Sequence, residues 1–127
     1  MELLNKQIQA EMVVDEQHLA TSLGSGTAKV FATPALINFI EHTCHNSIMP
    51  YLETGYITVG TKVNIEHLKA SPLGASVICK SKLIQTDNRI FLFEVEVFEG
   101  SKLIAKGYHE RAKVNRIRFE AKTYCQE

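Results

Sequence analysis

One stretch restricts the fold more than any other. A32-T-P-A-L-I-N-F-I-E-H-T-C-H-N-S-I-M-P-Y-L52 reads as the one long helix in a chain whose other segments alternate like strands. At about 100° per residue, Leu36, Phe39, Ile40, Thr43, Cys44, Ser47 and Ile48 gather on one broad face, with Ile37 at its margin. Asn38, His42, His45 and Asn46 lie opposite. Thr33 suits the N-cap and Pro34 the first helical position, where a missing N–H costs nothing. Glu41 falls between the two sets, about 20° from Ile48 on the wheel, a carboxylate on the shoulder of the buried face.

Before the helix, K6-Q-I-Q-A-E-M-V-V14 alternates as a first strand, and D15-E-Q-H-L-A-T-S-L-G-S-G-T27 is polar and glycine-rich, which predicts a short helical turn and a mobile loop. After the turn E53-T-G-Y56, strands are expected over residues 57–68, 75–85, 90–98 and 102–114, the last three joined by the turns T86-D-N-R89 and E99-G-S101. In the first of these, period-2 alternation puts Val59, Val63, Ile65 and His67 on one apolar side. A sheet with one apolar face must bury it, and the helix is the only large element available to cover it. The expectation is an α+β fold, a curled antiparallel sheet wrapped around one long central helix, as a single domain over residues 1–127. An open sheet edge in such a fold is protected by pairing with a second copy, so a homodimer, or a dimer of such dimers, is expected.

Composition narrows the function classes. With 14 basic and 14 acidic residues the chain lacks the positive excess of nucleic-acid or membrane-surface proteins. It has no apolar run long enough to span a bilayer and no secretory leader pattern, so a cytoplasmic location is expected. Cys44, Cys79 and Cys125 are an odd number without metal or redox spacing, read as free thiols in a reducing compartment.

Three residues from separate segments have the chemistry of acyl transfer. Thr33 stands at a helix N-terminus, where free N–H groups suit an oxygen gaining negative charge. Glu41 offers a carboxylate near the buried face, and His67 a proton carrier at neutral pH. Each also has a plain structural account: Thr33 as a cap, Glu41 as a solvated helix residue, His67 as a satisfied strand-end histidine. Glu41 and His45 have the i, i+4 spacing of a two-ligand metal site, but no third ligand is evident, and no metal is expected. Cys44 reads as a packed thiol, and His18 and His42 as exposed. Arg111, Lys113, Arg116 and Arg118 could meet cofactor phosphates, although a solvated strand face accounts for this basic run better.

V30-F-A-T-P-A-L-I-N-F-I-E41, V59-G-T-K-V-N-I-E-H67, L68-K-A-S-P-L-G74 and G107-Y-H-E-R-A-K-V114 resemble, in this order, the fluoroacetyl-CoA thioesterase-like branch of the hot-dog-fold thioesterases. The resemblance runs from about Lys6 to Lys122. It implies an acyl-CoA thioesterase with its site at the interface of a dimer and no cofactor, coenzyme A being part of the substrate. The family's catalytic threonine, glutamate and histidine fall on Thr33, Glu41 and His67, and the glycine whose backbone lines the thioester site falls on Gly60. Glu41 would attack the thioester carbonyl or activate water, Thr33 would assist, and His67 would handle protons. L23-G-S-G-T-A-K-V30 has no aromatic residue where the fluoroacetyl-specific enzyme has a phenylalanine-bearing lid, so a general acyl-CoA thioesterase of small acyl groups is implied. The alternatives are a non-catalytic module that binds acyl-CoA or a small ligand, and an enoyl-CoA hydratase of the same fold, whose D-x-N-P-x-H-like stretch is missing here.

Overall fold

The long helix, α2 (Thr33–Ile48), lies in the concave face of a five-stranded antiparallel sheet. The structure, a computed structural model, describes residues 1–125, so the last two residues of the domain expected over 1–127 lie outside the described residues. The strands are β1 (Gln7–Val13), β2 (Tyr56–His67), β3 (Ser76–Thr86), β4 (Ile90–Glu99) and β5 (Lys102–Asn115). A short helix α1 (Ala20–Leu23) precedes α2, and α3 (Arg116–Tyr124) follows β5.

The buried side of α2 is the face the wheel predicts, Leu36, Phe39, Ile40, Thr43, Cys44, Ser47 and Ile48, joined by Ala35. It packs on the inward rows of the sheet, among them Val77, Cys79 and Leu83 of β3 and Phe91, Phe93, Val95 and Val97 of β4, all buried. Truncating a residue at the centre of this contact, such as Ile40, removes about 2–5 kcal/mol. The curled sheet around a helix is thus the expected architecture.

Two local expectations change, and two features are new. The helix N-cap is Ala32, extended and without a side-chain cap bond, while Thr33 is the first helical residue and spends its hydroxyl elsewhere. The helix ends at Ile48 rather than Leu52, because Pro50 has no N–H to continue the ladder, and Met49–Tyr51 tightens into a 3₁₀ turn. The sheet order, which the local pattern left open, is β1-β3-β4-β5-β2, so β2 pairs with β5 and forms one edge of the sheet. Finally, α3 was not expected at all; Asn115 caps it by accepting from the Arg118 N–H at 3.1 Å.

Within β2 the register against β5 shifts between Gly60 and Lys62. This bulge leaves one residue unopposed and reverses the alternation. Thr58 and Gly60 face inward ahead of it, opposite Lys113 and Arg111, whereas Val63, Ile65 and His67 face inward after it, opposite His109, Gly107 and Ala105. Val59 therefore points to the other side from His67, contrary to unbroken period-2 alternation. Val63 stays 41% exposed because it lies at the open edge of the sheet.

Candidate active site

Helix α2 and strand β2 run alongside each other in opposite directions, and the candidate residues lie along the seam between them. From one end to the other, His45 meets Thr58, Glu41 meets Gly60, and Thr33 meets His67. The bulge matters here, since without it His67 would turn to the outer face of the sheet.

At one end, Thr33 Oγ1 is 2.9 Å from His67 Nδ1. The His67 ring packs edge-on against Phe31, with centroids 6.3 Å apart at 77°. Phe31 is 1% exposed and is itself edge-on to His18, with centroids 6.4 Å apart. Backbone bonds fix this stack: Phe31 N–H donates to Ser71 at 2.9 Å, Ala32 N–H to His18 at 2.9 Å, and Leu68 N–H to Ile104 at 2.7 Å. Burial lowers the pKa of His67, and the Lys69 backbone beside it offsets part of that shift. A cavity of about 820 Å³ opens in front of the pair, with Phe31, Pro34, Ile37 and Leu68 among its walls.

Eight residues further along the helix, about 12 Å by helical rise, Glu41 Oε2 lies 3.4 Å from Arg111 Nη1. Gly60 passes directly under this carboxylate; a Cβ there would collide with Glu41 Oε2 and come within 3.3 Å of His109 Cε1. Arg111 is only 6% exposed, and its guanidinium is fully directed. Nε donates to Thr58 Oγ1 at 2.8 Å, Nη2 to the Thr58 carbonyl at 3.0 Å, and Nη1 to His109 Nε2 at 3.0 Å. His109 is wholly buried, and its Nδ1 is 2.8 Å from the Lys62 carbonyl.

These contacts decide the state of His109. A carbonyl only accepts and a guanidinium only donates, so Nδ1 carries the proton, Nε2 is the acceptor, and the ring is neutral. Burial lowers its pKa, and so does the Arg111 charge, against the opposing pull of the Lys62 carbonyl. His45, bonded to Thr58 at 3.0 Å, is also lowered, first by burial and then by Arg111.

The structure therefore brings Thr33 and His67 together, and separately Glu41 and Gly60; within one chain the two pairs stand at different stations of the seam. The solvated strand face expected for the basic run is corrected at Arg111, which is buried under Glu41. Arg111 and His109 share the inward parity of Ala105 and Gly107 in β5, the signal that could have found them. His45, read as lying on the polar side, is partly buried, and it bonds Thr58 rather than pairing with Glu41 as a metal ligand. His18 is not an exposed residue but part of the stack on Phe31.

With this geometry, a sequence profile described as fluoroacetyl-CoA-specific thioesterase matches residues 14–117. The chain belongs to the fluoroacetyl-CoA-specific thioesterase family. A fluoroacetyl-CoA thioesterase from Streptantibioticus cattleyicolor is 33% identical to it over 94 residues, which cover 74% of this chain and 68% of that protein. A solved structure of the fluoroacetyl-CoA thioesterase FlK superposes with a TM-score of 0.93 at 26% identity, covering 98% of this chain and 96% of that one. A hot-dog-like protein from Thermanaerovibrio acidaminovorans, 16% identical, shares the fold with a TM-score of 0.86 over 97% of this chain and 93% of its own. This family member is accordingly a hot-dog thioester hydrolase, and among its described residues no helix is long and apolar enough to cross a membrane.

Two outcomes follow for the family member's site. Gly60→Ala should lower kcat/KM about 10–100-fold, because the new methyl displaces the Glu41 carboxylate, while the melting temperature barely moves, since the displaced group is the end of a half-exposed side chain. Wild-type kcat/KM in Gly60→Ala would contradict this placement of Glu41. The second concerns pH. His45, His67 and His109 all have lowered folded-state pKa values, so below the ordinary value of about 6.5 the unfolded chain binds more protons than the folded one. Stability is therefore complete above about pH 6.5 and declines as pH falls below it. Urea midpoints at pH 7.5 and 5.5 measure this, and equal midpoints would contradict it.

Proposed function

We propose that the protein hydrolyses the thioester of an acyl-CoA to free acid and coenzyme A, using Thr33, Glu41 and His67, with the Gly60 backbone lining the thioester site. The observation that carries this reading is the Thr33 Oγ1 to His67 Nδ1 contact at the wall of an apolar cavity. With His67 neutral, Nδ1 takes up, through the Thr33 hydroxyl, a proton from the water that attacks the carbonyl carbon, and the acid is released as the C–S bond breaks. The same proton then goes to the departing thiolate of coenzyme A. The uncapped N-terminus of α2 offers its backbone N–H groups to the oxyanion. Glu41 supplies the carboxylate from beside Gly60, either activating this water or attacking the carbonyl itself to give an anhydride that the water then hydrolyses. No cofactor is needed, and coenzyme A enters as part of the substrate; the free thiols fit a cytoplasmic setting.

A homodimer belongs to this proposal. β2 is an open edge whose residues 60–64 are exposed. Pairing it antiparallel with the same edge of a second copy protects that edge. Such pairing also carries the Gly60 end of one strand toward the His67 end of the other, so that Glu41 of one chain joins Thr33 and His67 of its partner. Light scattering should then give about twice the 14.3 kDa chain mass.

A panel of acyl-CoAs with a free-thiol readout tests the reaction. Release of coenzyme A that is lost in Glu41→Gln and in His67→Ala supports it, whereas binding without turnover across the panel would replace it with a binding module. Mixing the two inactive variants tests the shared site. Exchange of chains should restore about a quarter of wild-type activity, because half of the dimers are mixed and each holds one intact site. No recovery after demonstrated exchange would place the whole site within one chain.

A further inference from the structure

The cavity beside Thr33 and His67 is far larger than a two-carbon acyl group requires. Its volume of about 820 Å³, in a broadly open cleft, lies within the range, about 300–1,000 Å³, of small-molecule sites. Its lining is apolar apart from the catalytic pair, Ser25 and Lys69, with Val30, Phe31, Pro34, Ile37 and Leu68 supplying most of the bulk. Those walls offer a polar pantetheine arm few hydrogen-bond partners, but they suit a hydrocarbon chain.

One wall of this space carries small residues. Ala20, Ser25 and Val30 reach the cavity from residues 20–30, a segment closed on itself by the Ala20 N–H bond to the Val30 carbonyl at 3.0 Å and by the Leu19–Phe31 bridge. Between Gly24 and Ala28 no side chain is larger than threonine. A Cβ added at Gly26 would touch only the Ala20 methyl, at 3.7 Å. An acetyl group at Thr33 would leave most of these walls in water, so it would gain little from them. Each further methylene removes both chain and wall from water, which corresponds to about fourfold in binding.

Resting on the thioesterase reading above, we infer that this cavity selects an apolar acyl chain of about four to eight carbons over acetyl or fluoroacetyl groups. Thr33 and His67 hold the thioester at its rim, and the chain extends along residues 20–30 against Phe31, Ile37 and Leu68.

The test compares acetyl-, fluoroacetyl-, butyryl-, hexanoyl- and octanoyl-CoA by kcat/KM. Hexanoyl-CoA should exceed acetyl-CoA roughly 10²-fold. Ser25→Phe places an aromatic ring in the cavity from an exposed position and should lower the hexanoyl-to-acetyl ratio at least about tenfold. Equal or better turnover of acetyl- or fluoroacetyl-CoA, or an unchanged ratio in Ser25→Phe, would overturn the inference while leaving the thioesterase intact. The non-hydrolysable thioethers S-hexyl-CoA and S-ethyl-CoA, measured by calorimetry, decide the matter independently of catalysis. Tighter binding of the hexyl compound supports the cavity assignment even if no thioester is hydrolysed, and equal binding overturns it.

Discussion

Replacing His67 with alanine is expected to lower kcat/KM for the best acyl-CoA by about 10²–10⁴-fold, the range for a lost proton-transfer group. The variant should fold normally, because His67 is half-buried at a strand end and the side chain it hydrogen-bonds, Thr33, is exposed. Thr33→Ala should fall into the same range, and Thr33→Ser, which keeps the hydroxyl facing Nδ1, should recover most of the activity. The pH profile separates catalysis from structure. In the proposed reaction His67 works as the neutral base, and burial holds its pKa below the ordinary value of about 6.5. The acid limb of kcat/KM in the free enzyme therefore lies below that value, with activity full above it and lost as protonation removes the acceptor. A His67→Ala enzyme with a melting temperature and kcat/KM like the wild type would remove the histidine from the mechanism.

The second large effect is on stability. Arg111→Met keeps the apolar stem but withdraws three donors from buried acceptors, the Thr58 carbonyl, Thr58 Oγ1 and His109 Nε2. Each acceptor left unsatisfied costs about 1–3 kcal/mol, and we expect a net loss of about 3 kcal/mol, near 10 °C in melting temperature. Activity should fall at least about tenfold in addition, because Glu41 loses the cation that orients it over Gly60. Arg111→Lys keeps the charge but cannot reach Thr58 and His109 at once, so it should restore less than half of the lost stability. Glu41→Gln makes an asymmetric control. Its side chain is 39% exposed, and its removal should cost less than about 1 kcal/mol. An Arg111→Met protein that melts within 2 °C or so of the wild type would show that the buried network contributes no net stability.

Where local pattern and tertiary packing agree, the chain was legible. The helix wheel named the buried face of α2, Leu36 through Ile48, because a helix against a sheet has one dry side and 3.6 residues per turn. The four later strands follow from alternation and turn residues, with ends within a residue or two of those seen. The misses have specific causes. The bulge after Gly60 inserts a residue that no composition rule announces, so Val59 was put on the wrong side of β2. The basic run through Arg111 was weighed by its charge rather than by the parity of β5, which hid a buried arginine and a buried histidine. In α3 the polar, charged sequence Arg116–Tyr124 offers little apolar periodicity, and only Asn115 marks its start.

The sequence by itself determined the architecture and named the candidate residues. One amphipathic helix among alternating segments can bury its face only inside a curled sheet, and Thr33, Glu41, Gly60 and His67 stand at spacings that resemble a known family. Only the tertiary structure decided how those residues are grouped. Pairing of β2 with β5 across the whole sheet, together with one bulge, turns His67 toward Thr33 and Gly60 toward Glu41, and it buries Arg111 and His109 behind them. Long-range pairing selects these neighbours, and nothing in a local window of sequence records which strands meet.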